Sequence, residues 1–315
     1  MNGTYMAGAF NDSDAFNAAV QVWNLDFRQL DAGAFHAELS QLGTPDVVAT
    51  SSRFNRKLKQ GGTAPSGYMT FGIPGEEHTR FRRMGCDLNG SNVVIFKSGD
   101  ALDCVSEAGF GAHTMSVSLR RLQQLVHTHE LNSLSDLLSK QEHFLQSNLQ
   151  VRSRLRQAIA SYSACGKQRP DVLSNRVFLK EYESNLLECL LAGVVQAKPF
   201  KARPMAHSRA HALKRALAVI HDRHDKSLTA TELPALAGVS ARTLLYAFQQ
   251  EFGLSPKEYM KLYRLHQLRR ALKQGRPVLD TVAGVANEHG FWHMGQLAQD
   301  YRKLFDELPS ETLKR

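Results

Sequence analysis

The most constraining feature of this 315-residue sequence is a pattern of helix, glycine and helix that occurs twice near its carboxyl end. In the first copy, TATELPALAGVSARTLLYAFQQEFG, Thr229 and Glu232 have capping-box spacing. Gly238 supplies a left-handed helix end and Ser240 caps the next helix. In the second copy, LDTVAGVANEHGFWHMGQLAQDYRKLF, Asp280 or Thr281 caps the first helix and Gly290 breaks it. Leu297, Tyr301 and Phe305, at four-residue spacing, form the inward face of the helix that follows. Two helices meeting at so short a turn predict a helix-turn-helix, whose second helix fits the roughly 12 Å major groove of duplex DNA. Ser240 and His293 open the two second helices 53 residues apart (293 minus 240).

Between the copies, Ser255, Pro256 and Glu258 open a longer helix that runs to about Lys273. Its roughly 18 positions rise about 28 Å, close to one turn of duplex DNA. Leu262, Leu265, Leu268 and Leu272 give it a buried stripe, while Lys257, Lys261, Arg264, Arg269, Arg270 and Lys273 keep much of the rest basic. Ahead of both copies, Ser208 to Arg223 reads as an amphipathic helix.

Residues 208–315 resemble the DNA-binding domain of the AraC/XylS family of bacterial transcription regulators, through GVSARTLLYAFQQEFGLSPKEYMKLYRLHQLRRAL and HGFWHMGQLAQDYRKLFDELPSE. The second motif is similar in wording to a subgroup that includes ethanolamine-utilisation regulators, which does not identify an effector. The resemblance implies an all-α, seven-helix tandem helix-turn-helix domain that binds double-stranded DNA, preceded by a variable domain for effector sensing or dimerisation. It also implies an activator or a repressor working as a homodimer, with RNA polymerase as a further partner. Two positions depart from the family pattern. Pro234 stands where alanine is usual, so the first scaffold helix starts nearer Thr231 or kinks. Leu245 and Tyr246 stand where relatives often carry polar groups, leaving Arg242 as the main long donor of that helix.

The expected DNA-facing residues are Ser240, Arg242 and Tyr246 in the first copy, with Arg242 able to make a bidentate pair to guanine. In the second copy, His293, Gln296 and Gln299 are the candidate base readers, and Arg302 and Lys303 hold phosphate. Trp292 reads as an apolar staple at the helix start. Charge agrees with a polyanionic partner. The net charge is +9, and residues 201–315 hold 19 Lys and Arg against 11 Asp and Glu, leaving 20 against 19 in the first 200 residues.

The remainder divides as an effector-sensing or dimerisation domain, 1–195, and a linker, 196–207, where AKPFKARPMAHS breaks all periodicity. VVATSSRF, YMTFGIP, NVVIFKSG and HTMSVSL are short β-prone stretches separated by turn residues, which predicts a β-rich, barrel-like (cupin-like) fold. Leucines at helical spacing follow (Leu119, Leu122, Leu125; Leu134, Leu137, Leu138; Leu186, Leu187, Leu190, Leu191), either covering the barrel or packing against a second copy. The whole is therefore α+β. Phe10 to Leu42 is ambiguous, with Phe16, Val20 and Trp23 on one helical face.

No uncharged apolar run approaches the roughly 18 residues of a membrane span, and the first thirty residues lack a signal pattern, so a cytoplasmic protein without a membrane partner is expected. Cys86, Cys104, Cys165 and Cys189 lie too far apart for ligand pairs and read as reduced and packed. His78 and His113 read as ordinary packed or surface histidines, and neither a metal nor a cofactor is expected. Between residues 53 and 83, seven basic residues face only Glu76 and Glu77. If the strands carrying Arg53 and Arg56 and those carrying Arg80 and Arg83 pair, they make a site for an anionic small-molecule effector, with a cyclic dinucleotide as the first candidate. The competing classes are an enzyme tethered to DNA by its carboxyl half and an architectural protein that coats DNA without sequence preference. No catalytic motif supports the enzyme.

Overall fold

The protein was analysed as a computed structural model, which describes residues 2–20, 22–76, 78–129, 143–200, 205–222, 228–277 and 279–314. Two compact units are present. The first is Met1–Phe27, His36–Arg83 and Asp87–Arg203; the second is Arg28–Phe35, Met84–Cys86 and Pro204–Arg315.

The first unit begins with β1 (Thr4–Phe10), α1 (Ser13–Ala19), β2 (Asn24–Gln29), β3 (Ala37–Gly43), β4 (Val47–Phe54), β5 (Leu58–Thr63) and β6 (Tyr68–Pro74). It continues with β7 (Arg80–Arg83), β8 (Cys86–Asn89), β9 (Asn92–Phe96), β10 (Cys104–Ser106) and β11 (Gly111–Ser118). After α2 (Leu119–His129) come β12 (Phe144–Gln146), α3 (Leu149–Gln168), α4 (Arg176–Gln196) and β13 (Lys198–Pro199). The strands form two sheets, ordered β1-β3-β4-β11-β6-β9-β12-β13 and β2-β5-β10-β7-β8, so the barrel-like half is a pair of sheets and not one closed ring.

Period-two alternation explains the layers. Along β4, Val47 and Ala49 join Met115 and Val117 of β11 in a core shared with Leu186, Leu187 and Leu190 of α4. These leucines cover the sheet of their own chain. Leu134, Leu137 and Leu138 lie outside the described residues. Tyr182 of α4 fixes this layer, because its hydroxyl donates to the Leu42 carbonyl (2.6 Å) and accepts from the Ala49 amide (3.1 Å). Burial pushes that phenol upward, which keeps it a neutral donor. The alternate residues of β4, Thr50, Ser52 and Phe54, face the space between the two sheets.

The ambiguous opening stretch holds strand as well as helix. Only Ser13–Ala19 is helical, and Trp23 lies in the turn before β2. Within the expected linker, 196–207, Lys198–Pro199 pairs with β12.

The second unit contains α5 (His207–Asp222), α6 (Leu233–Leu236), α7 (Ala241–Phe252), α8 (Pro256–Gln274), α9 (Val282–Glu288), α10 (Met294–Phe305) and α11 (Pro309–Leu313), seven helices among its described residues. Pro234 shortens the first scaffold helix to α6. Thr229 and Glu232 still exchange the capping-box contacts, Thr229 N to Glu232 Oε2 (2.9 Å) and Glu232 N to Thr229 Oγ1 (3.3 Å), and the assigned helix starts beyond them.

Candidate nucleic-acid interface and front-unit cavity

The first recognition helix, α7, is built by its cap and its turn. Gly238 adopts φ +62°, and a Cβ added there would lie 2.5 Å from Nη2 of Arg215, which donates to the Gly238 carbonyl (2.7 Å). The left-handed φ favours glycine, and a larger residue would also displace the Arg215 guanidinium. Ser240 then caps α7 through its hydroxyl, which accepts from the Thr243 amide (3.1 Å). Leu244, Ala247, Phe248 and Phe252 are buried, while Arg242, Leu245, Tyr246 and Gln249 are exposed. Arg242 and Tyr246 lie one turn apart, with Arg242 Nη2 3.4 Å from the Tyr246 hydroxyl and its guanidinium 5.5 Å from the ring centroid.

The second motif repeats this plan. Thr281 caps α9 by accepting from the Gly284 amide (3.1 Å), and Gly290 turns the chain at φ +76°. His293 takes the cap position of α10 without a side-chain cap bond. Leu297, Tyr301, Leu304 and Phe305 face inward, and Gln296, Gln299, Arg302 and Lys303 are exposed. Asp306 closes the helix at φ +59°, 53 residues after Gly253 closes α7 at +72°. The second turn is one residue longer, since Gly290 precedes its cap by three positions and Gly238 precedes Ser240 by two. Trp292 is 70% exposed and is not a staple; Phe291 packs into the core instead.

The connector α8 is less basic on its surface than its sequence suggests. Arg269 is buried, its Nε 2.8 Å from Oε1 of Glu307 and its guanidinium over the Phe305 ring (4.8 Å). Arg264 donates to the Leu228 carbonyl, and Lys261 pairs with Asp300 of α10 (2.9 Å). His266 is buried on the same helix, and burial pushes its imidazole down to about 4, so at neutral pH it is an uncharged donor to the Gln29 carbonyl (2.9 Å). Lys257 and Lys273 are exposed.

The first unit holds a cavity of about 100 Å³ between its two sheets, partly open to solvent. Aromatic side chains dominate its lining, among them Phe16, Trp23, Phe27, Phe54, Phe81 and Phe96. Sequence reasoning did not name this cavity, although the shared spacing of Phe16, Val20 and Trp23 was a trace of it, because all three line it.

Strand pairing does not assemble the expected anion site. β4 pairs with β3 and β11, and β7 with β10, in different sheets, so Arg53 and Arg56 are not brought beside Arg80 and Arg83 by strand pairing. Arg53 points away from the cavity face of β4 and pairs with Glu76 (3.2 Å). Arg83 is buried, with its guanidinium 4.2 Å from the Phe96 ring centroid, and Arg80 is exposed. His78 contacts Glu76 (2.8 Å) on the surface. His113 is largely buried, and burial with the charge of Arg156 pushes it down to about 4.

Comparison with known proteins gives these features a context. A family model described as "Helix-turn-helix domain" matches residues 233–315. "XylDLEGF operon transcriptional activator 3" of Pseudomonas putida is 34% identical over 102 residues, covering 32% of this chain and 31% of that protein. "Regulatory protein HrpB" of Ralstonia nicotianae is 29% identical over 158 residues, covering 47% of this chain and 33% of that protein. The chain thus spans about a third of the length of these curated relatives. The solved structure titled as a probable AraC family transcriptional regulator from Rhodopseudomonas palustris is 36% identical and covers 33% of this chain and 95% of that one, with a TM-score of 0.31. Residues 233–315 form a helix-turn-helix domain similar to that of AraC/XylS regulators. The likeness is carried by the carboxyl-terminal helices and covers the two helix-turn-helix motifs.

Proposed function

We propose that the protein is a sequence-specific DNA-binding transcription regulator whose DNA affinity responds to a small molecule held in the front unit. The observation that carries this reading is the 53-residue repeat of two capped helices, each burying one face and exposing long polar side chains on the other. Arg242 and Tyr246 present one such face, and Gln296, Gln299, Arg302 and Lys303 the other. An exposed guanidinium and amides suit base edges, and the cations at the end of α10 suit phosphate. Activation is the sense favoured here, because a relative in the carboxyl domain bears the name of an operon activator.

The small molecule in this reading occupies the cavity between the sheets and is not the cyclic dinucleotide expected from charge, since the arginines that suggested one are not gathered. An enzyme built on the cavity is disfavoured because, among the described residues, no Asp, Glu, His, Lys or Arg lines it to serve as acid or base. The test is selection of bound genomic fragments by the full chain, followed by comparison of the selected duplex with a scrambled one at about 0.15 M salt. A regulator prefers the selected duplex by about 1,000-fold or more. Equal affinity identifies an architectural protein instead, because phosphate contacts alone do not distinguish sequences.

A further inference from the structure

From the chemistry of this cavity we infer that its ligand is a small, uncharged, single-ring aromatic molecule carrying at most one hydrogen-bonding group. The inference rests on the regulator reading only in calling that ligand an effector; the binding site itself stands on the first unit alone.

Three observations set the class. Size comes first. An apolar cavity of about 150 Å³ accommodates benzene, so a space of about 100 Å³ takes no more than one ring, which must extend with any substituent toward the open side. Shape and surface come second. Phe16 and Phe27 are stacked at 5.7 Å, Phe54 meets Phe16 edge-on at 5.0 Å, and Trp23 meets Phe96 edge-on at 5.3 Å. Such walls offer both faces and edges to another ring. Charge comes third. Among the described residues no carboxylate, imidazole, lysine or arginine lines the cavity; the Cys104 thiol does, and the nearby Arg83 guanidinium is stacked on Phe96 without being part of the lining. A carboxylate or phosphate entering there would lose hydration with no counter-charge in the lining itself, which disfavours anions.

The polar part of the lining is confined to two places on opposite sheets. On one, Thr50 and Ser52 of β4 lie beside Thr114 and Ala112 of β11 in register. On the other, the Gln60 amide donates to Oγ of Ser106 (2.8 Å) across β5 and β10. A glutamine amide bonded once retains another N–H and its carbonyl oxygen, and the serine hydroxyl retains its proton. That capacity suits one hydroxyl or amine on the ligand and specifies no more than one.

Trp23 supplies the readout. The chain has two tryptophans, so Trp292→Phe leaves Trp23 as the single fluorescent indole in an otherwise full-length protein. Titration with toluene and with benzyl alcohol is expected to shift Trp23 emission saturably. Benzoate, nearly the same shape with a charge, binds about 100-fold more weakly or not at all. Thr114→Phe fills the space and abolishes the signal. Gln60→Leu, which keeps the volume, weakens benzyl alcohol several-fold and leaves toluene unchanged or tighter. Saturable binding of benzoate or of a cyclic dinucleotide at equal or higher affinity overturns the inference, and so does a neutral-ring signal that survives Thr114→Phe. Absence of saturable binding by both neutral rings also overturns it. DNA affinity measured in parallel separates the two claims: neutral-ring binding that leaves operator affinity unchanged retains the site and its ligand class while removing the effector role.

Discussion

The side-chain amide of Gln29 donates to the backbone carbonyl of Leu304, 275 residues away in sequence, at 2.9 Å. The same nitrogen approaches the carbonyls of Asp31 (2.7 Å) and Gly33 (2.6 Å), and the Gly33 amide approaches those of Lys303 (2.9 Å) and Leu304 (3.2 Å). The last carbonyls of a helix have no partners within it. Here a segment from the front of the chain, Arg28–Phe35, is part of the carboxyl-terminal unit and satisfies those of α10, the second recognition helix. Because Gln29 is buried, Gln29→Leu leaves acceptors without donors and costs about 1 to 3 kcal/mol locally. Amide hydrogen exchange at Leu304 to Glu307 is expected to accelerate accordingly while β4 and β11 keep their protection. Unchanged exchange in the last turn of α10 would show that the bond contributes nothing.

His266 makes the second unit sensitive to acid. Its folded value of about 4 lies below the ordinary histidine value of 6.5. Above pH 6.5 both states are neutral and the contribution to stability is complete. As pH falls from 6.5 toward 4, the unfolded chain takes up a proton that the folded chain resists, so stability falls, by up to about 3 kcal/mol from this group. His266→Gln keeps a donor for the Gln29 carbonyl and removes the titration. Its second unit should show a flatter stability profile over that window by amide exchange. A slope equal to wild type would assign the acid sensitivity elsewhere. His113 acts in the same direction in the first unit and serves as the internal comparison.

The sequence revealed local features far better than long-range ones. Ser240, Ser255 and Thr281 could be read as caps because a cap acts within three residues, and each accepts the predicted amide. The four β-prone stretches could be read because β-branched and aromatic residues cluster there between turns. Arg53 illustrates what was hidden. Its charge was visible, but the sheet to which each strand belongs is decided by pairing between distant residues, and alternation along β4 sends Arg53 away from the face occupied by Thr50 and Ser52. Arg269 was hidden for a related reason. On a helical wheel it counts as basic surface, yet Glu307, 38 residues later, supplies the counter-charge that permits its burial. Gln29 gave no local signal, since nothing near it in sequence is its partner.

The Arg269 and Glu307 pair carries its own test. Glu307 Oε1 also accepts from the Thr312 hydroxyl (2.9 Å), which contacts the Tyr301 hydroxyl (2.7 Å), so the pair anchors α8 to the end of α10 and to α11. Arg269→Ala leaves a buried carboxylate and should destabilise the protein by about 3 to 5 kcal/mol in denaturant unfolding. The double variant Arg269→Met, Glu307→Met removes both charges and should recover most of that loss. A double variant as unstable as Arg269→Ala would mean that packing, and not the uncompensated charge, dominates.

The DNA-facing assignment is tested by comparing side chains expected to read bases with those expected to hold phosphate. Arg242→Ala and Gln296→Ala are each expected to weaken binding to the selected operator by about 5- to 150-fold, corresponding to roughly 1 to 3 kcal/mol. Each should relax preference at its own base pairs, and the two sets should lie about one helical turn apart, as tandem recognition helices on one DNA face require. Arg302→Ala and Lys303→Ala should instead weaken binding by a similar factor on every sequence and reduce the salt dependence. Tyr246→Phe removes the hydroxyl that approaches Arg242 and keeps the ring, so it reports whether that contact orients the guanidinium. All five side chains are exposed, so the thermal midpoint should stay within a degree or two of wild type, about the scale of surface substitutions. Loss of affinity that is uniform over sequences for Arg242→Ala or Gln296→Ala would move that residue from base reading to phosphate holding, and a lowered midpoint would assign it to the fold.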